Sequence, residues 1–94
     1  MIEIIDLKIK KLIQLRDDDA VISNPDVRAN ICGVIEKAFL LEKLILSNKK
    51  LKENNDNQFF TANSAVNRYF REWNLDEVAD IYNELSDLAK EYII

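Results

Sequence analysis

The sequence predicts an all-α protein, a small helical bundle of three to four helices with a long central helix. Apolar residues recur at i, i+3 and i+4 over several long stretches, the signature of amphipathic helices. One glycine and one proline are too few for an all-β chain, which needs a tight turn about every 8–12 residues. A content of 48% apolar and 32% charged residues is that of a folded globular chain, not a disordered one. At 94 residues the chain reads as a single helical domain, 1–94. Such a domain buries roughly 60–65% of the surface its unfolded form exposes, so its core is modest.

The first helix is expected over about residues 2–16. Ile2, Ile5, Ile9, Leu12 and Ile13 share one face, while Lys8, Lys10, Lys11 and Arg16 are spread elsewhere. The lysines are either phosphate contacts or a solvated face that also complements the helix dipole. Asp17-Asp18-Asp19 follows. Adjacent carboxylates do not converge on one ion unless a turn brings them round, and the spacing and glycine of a calcium loop are missing. The triplet therefore ends the helix, and Ala20-Val21-Ile22 tucks under the start of the next one as a staple.

The central helix is expected over about 25–50. Ser23-Asn24-Pro25 is a start signal, a capping side chain followed by a proline that has no N–H to leave unpaired. Val27, Ile31, Val34, Ile35, Ala38, Leu41, Leu44 and Ile45 form its main apolar stripe. A second set, Cys32, Phe39 and Leu46, repeats every seventh residue on a different side. A helix with two apolar sides is central or also faces another subunit, which makes these three residues interface candidates. Cys32 also reads as a small buried hydrophobe. Gly33 costs about 1 kcal/mol relative to alanine inside a helix, and close approach by another helix is the expected compensation.

Residues 53–58 are wholly polar and rich in turn formers, hence a loop. Phe59-Phe60 comes directly after, to be buried by the bundle or presented to a partner. A third helix is expected over about 62–73, where Arg68, Tyr69, Phe70, Arg71 and Trp73 mix basic and aromatic side chains. That mixture serves either a core or a binding hot spot. Asn74-Leu75-Asp76-Glu77 matches a capping box, with Asn74 as the cap of a fourth helix over about 75–92, unless the two helices run on as one. Its inner face is Val78, Ile81, Tyr82, Leu85, Leu88 and Ala89, with Asp76, Asp80, Glu84 and Asp87 outside. The apolar tail Tyr92-Ile93-Ile94 is expected to dock on something.

Composition narrows the function classes. With no histidine and one cysteine, histidine acid–base catalysis, Cys/His zinc sites and internal disulfides are excluded. No nucleophile–base pair, phosphate loop or metal cluster is present, so no catalytic residues, no metal and no cofactor are expected. A net charge of −4 argues against a wholly nucleic-acid-binding surface but permits a local patch. Lys8, Lys10, Lys11, Arg68 and Arg71 are the DNA-contact candidates by charge. No apolar run approaches the roughly 18–20 residues that span a bilayer, and Glu3 and Asp6 argue against a signal peptide. A soluble, cytoplasmic protein is expected.

From Glu36 to Leu88 the order of features resembles a known family. Ala38-Phe39 and Leu44 lie in the central helix, followed by a polar connection, Thr61, Ser64-Ala65-Val66, Tyr69, and Leu85-Ser86-Asp87-Leu88. This is similar to the small-terminase-like proteins of tailed phages and prophages of Gram-positive bacteria. The resemblance implies a non-enzymatic, oligomeric DNA-packaging adaptor in the host cytoplasm that recognises double-stranded viral DNA and engages the large terminase subunit. It also implies that Cys32, Phe39 and Leu46 face another subunit; Phe59, Phe60 and Trp73 remain partner-contact candidates from the residues themselves. The alternative is a bacteriocin-immunity-like four-helix bundle, or a small phage or plasmid regulator, acting by protein–protein binding.

Overall fold

The main apolar stripes of the first, central and fourth expected helices become buried faces in the computed structural model of the chain, which describes residues 2–47 and 63–91, whereas the described part of the third buries only Phe70. In order these form α1 (Ile2–Arg16), a short α2 (Asp19–Ile22), the long α3 (Pro25–Leu46), α4 (Asn63–Glu72) and α5 (Asp76–Lys90). No strand occurs among the described residues. The fold is an all-α bundle, with α3 its longest member.

The start of α3 follows its sequence signal. Pro25 occupies the first turn, and the Asn24 side chain accepts a hydrogen bond from the Val27 N–H at 3.4 Å. The helix ends at Leu46 with Ser47 as its cap, short of Lys50. Val27, Ile31, Val34, Ile35, Ala38 and Leu41 are buried, and Leu44 and Ile45 pack against that core from partly exposed positions. The expected face of α1 goes in likewise, with Ile5, Ile9 and Leu12 buried. On α5 the buried set is Val78, Ile81, Tyr82, Leu85 and Ala89, joined by Ala79 and Ser86.

The connection after α1 holds one turn more of helix than the sequence suggested. Asp18 carbonyl oxygen accepts from the N–H groups of both Val21 and Ile22 at 2.9 Å, which closes α2. Of the expected staple Val21 is buried, whereas Ile22 is 51% exposed.

The capping box at Asn74 is corrected. Asn74 has φ 59°, the left-handed conformation, and the residue preceding α5 is Leu75, with no side-chain cap. Leu75 N–H donates to the Phe70 carbonyl at 2.8 Å and Asn74 N–H to the Arg71 carbonyl at 3.1 Å. Those two bonds are a Schellman closure, in which asparagine substitutes for the usual glycine. Asn74 thus ends α4 instead of starting α5, and the two helices are separate.

α1 and α5 run antiparallel, and so do α4 and α5. Lys8 and Lys11 of α1 pair with Glu84 and Glu77 of α5, in opposite chain order. Asn67 of α4 and Asn83 of α5 exchange two amide hydrogen bonds at 2.8 and 2.9 Å. α1 packs most extensively on α3 and α4 on α5, and α5 touches both α1 and α3. Because α4 leans on α5, little of it reaches α3. The close approach expected at Gly33 is therefore absent among the described residues: a methyl group placed there meets nothing within 4 Å.

Two substitutions test this account in urea unfolding. Gly33→Ala is expected to raise stability by about 0.5–1 kcal/mol, since it removes backbone entropy from the unfolded chain and meets open space. A loss would mean that Gly33 faces a neighbour. At the corner, Asn74→Ala is expected to cost about 1–2 kcal/mol while Asn74→Gly is tolerated. Equal losses in both would return Asn74 to a side-chain capping role.

Candidate functional site

The basic residues singled out in the sequence do not come together. Lys8 lies against Glu84, with its side chain only 17% accessible. Lys11 meets Glu77 at 3.4 Å. Arg71 reaches Asp80 at 3.0 Å and Asp76 at 3.7 Å. Three of the five candidates are thus neutralised by carboxylates of α5, and only Lys10 and Arg68 are exposed without an ion pair among the described residues. Lys10 stands roughly 200° round α1 from Lys8, so even the lysine cluster splits between two sides. Phosphate binding needs cations whose charge is available, and this surface offers few.

The apolar candidates are more exposed. On α3, Phe39 is 49% and Leu46 70% exposed, with Cys32 half-buried two turns before Phe39. Their seven-residue spacing drifts only about 20° per step, so they form one flank. Leu40, 47% exposed, lies about 100° further round the helix. Trp73, half exposed, stands at the α4–α5 corner. Phe59 and Phe60 lie outside the described residues, as do the polar loop and the terminal Tyr92-Ile93-Ile94.

Two grooves accompany these surfaces. Between α3 and α4 a cleft of about 320 Å³ has Gly33, Val34, Phe70 and Tyr82 in its lining. The Asn30 amide donates to the Tyr69 hydroxyl at 3.0 Å between the same two helices. Between α1 and α5 a second groove of about 380 Å³ is lined by Ile4, Leu7 and Ile81, with the lysine–glutamate pairs beside them. Ile4 and Leu7 are 49% and 66% exposed. Neither was marked by the sequence reading, although both stand off the buried stripe of α1 at i, i+3 spacing, which is the signal that reveals them.

Carboxylates settle two further points. Asp17 is bound by the Arg16 guanidinium at 3.0 Å, with Arg28 at 3.8 Å, and Arg16 holds its carboxyl below the usual range. Asp17 thus turns toward arginines, and among the described residues no three acidic or thiol groups could hold a metal ion. Glu42 is different. Its hydrogen bond with Asp6 of α1, then burial and the repulsion of that neighbour, push its carboxyl above the ordinary 4.5. One Glu42 oxygen is buried without a hydrogen-bond partner. Two carboxyls in contact across α1 and α3 favour holding a proton between them.

No family model matches this chain, and neither does any curated protein or solved structure.

The two carboxylates give opposite pH dependences. Glu42 has a raised folded pKa, so its contribution is fully present below about 4.5 and is lost as pH rises through the folded value. Asp17 has a lowered one, so its contribution is present above 3.8 and is lost as pH falls through the folded value. Glu42→Gln keeps a donor for Asp6 without the charge. In thermal melts it is expected to exceed the parent in stability at pH 7 and to match it near pH 4. A constant gap across that range would show that the Asp6–Glu42 contact does not share a proton.

Proposed function

We propose that the chain is a non-enzymatic adaptor that works by protein–protein contact, and that it serves as a small-terminase-like component of phage DNA packaging. In that role it is oligomeric, meets viral DNA and engages a large terminase subunit. The observation that carries the protein-contact part is the outer flank of α3. Phe39 and Leu46 leave large apolar side chains in water at the heptad spacing of a helix that packs on another. The packaging part is supported by the order of sequence features from Glu36 to Leu88.

Electrostatics limit the DNA contact. With Lys8, Lys11 and Arg71 held against acids, Lys10 and Arg68 remain for phosphates. Two phosphate contacts correspond to a log–log salt slope of about −1.8. DNA binding is then weak per subunit and gains strength only by repetition over an assembly. The neutralised cations favour the alternative at this step: an immunity-like bundle or small phage or plasmid regulator needs the protein contact and no DNA.

Light scattering on a sizing column tests the first part. A multi-subunit mass is expected, falling sharply in Phe39→Ser/Leu46→Ser, to no more than two chains, with the helical circular dichroism retained. A monomeric parent would remove the adaptor assembly. Fluorescence anisotropy on duplex DNA tests the second, with binding of about that salt slope expected and loss in Lys10→Glu/Arg68→Glu. An assembly indifferent to DNA would discard packaging in favour of the immunity-like or regulator reading.

A further inference from the structure

The groove between α1 and α5 has a pattern that matches itself. Its apolar strip, Ile4 and Leu7 with Ile81 beneath, lies open to water. One wall is basic, with Lys8 and Lys11 on α1; the other is acidic, with Glu77, Asp80 and Glu84 on α5. The two walls are level with one another, since Lys8 touches Glu84 and Lys11 touches Glu77. A two-fold axis running along the helices in the plane of this face would exchange the walls without changing height. It would bring Lys8 and Lys11 opposite the partner copy's Glu84 and Glu77, and each apolar strip over the other.

We infer that the occupant of this face is a second copy of the chain, joined in a two-fold dimer through α1 and α5. Charge complementarity selects it. A partner of single sign would be attracted by one wall and repelled by the other, whereas a second copy satisfies both at once. The heights matter because the arrangement is isologous: each lysine–glutamate contact across the interface occurs twice. Size sets the strength. α1 and α5 have 15 residues each, about 22 Å of helix, and two helices about 9 Å apart and about 10 Å thick span about 19 Å, for a face on the order of 400 Å² per partner. That is the scale of a weak, concentration-dependent dimer. This surface is distinct from the α3 flank, and the inference does not rest on the adaptor reading.

Sedimentation equilibrium across a range of concentrations tests it. The background is Phe39→Ser/Leu46→Ser, so that assembly through α3 cannot mimic the result. The dimer is expected to form as concentration rises, and to be lost in Leu7→Glu, whose side chain is exposed and not needed for folding. The decisive arm mixes two charge reversals, Lys11→Glu and Glu77→Lys. Each alone places like charges opposite one another, while the mixture restores opposite charges across the axis. Association in the mixture is expected to exceed either variant alone by about tenfold. Both variants lose the same pair within the chain, so a purely structural role of that pair cannot produce the gain on mixing. A mass independent of concentration, no change in Leu7→Glu, or no gain on mixing would each overturn the dimer.

Discussion

Burial of one stripe on α3 is the constraint on which the other elements depend. Val27, Ile31, Val34, Ile35, Ala38 and Leu41 are all sealed from water. A buried aliphatic side chain of that size contributes about 1.5–3 kcal/mol, so leaving this stripe uncovered would unfold a domain so small. α1 covers it most extensively and α5 completes the seal, with Tyr82, Leu85 and Val78 fully inside. α4 contributes Phe70 to that interior but rests on α5. The bundle is therefore strongest where α1 and α3 meet and most open where α4 stands away from α3.

That openness explains several features together. Among the described residues a methyl group on Gly33 meets nothing, because the helix that would have approached it is held by the Asn67–Asn83 amides and the Arg71 ion pairs to α5. The cleft between α3 and α4 is the space left over. The outward flank of α3 is a separate matter: Phe39 and Leu46 lie on the side that neither α1 nor the hairpin covers. The charges are arranged around the packing instead of directing it, since exposed pairs contribute only about 0–1 kcal/mol each. What they do is neutralise: the acids of α5 pair with three of the five cations singled out for nucleic-acid contact.

The helices and most of their buried faces were legible because periodicity reports directly on which side of a helix is apolar. Pro25 and Asn24 marked the start of α3 for the same local reason. What was not legible depended on neighbours distant in sequence. Asn74-Leu75-Asp76-Glu77 has the letters of a capping box, yet the preceding helix claimed Asn74 first by closing through the left-handed region. Gly33 looked like a close-packing glycine because nothing in its own helix shows which way α4 leans. The lysines looked available because Glu77 and Glu84 lie far along the chain. Ile4 and Leu7 escaped notice because they sit beside a stripe strong enough to explain the helix without them.

The asparagine pair between α4 and α5 has a consequence for how the bundle comes apart. Its two amide bonds are neutral, so salt does not weaken them, whereas the contacts of Lys8 and Lys11 with α5 are screened by salt. Sliding α4 along α5 by one turn would strand both amides without each other. Salt therefore removes only the small contribution of the two pairs between α1 and α5, whose contact is otherwise held by buried apolar side chains, and it likewise screens the Arg71 pairs of the hairpin while leaving the amide pair intact. The registry of the hairpin thus has one fastening that does not depend on ionic strength, beside the Arg71 pairs that do.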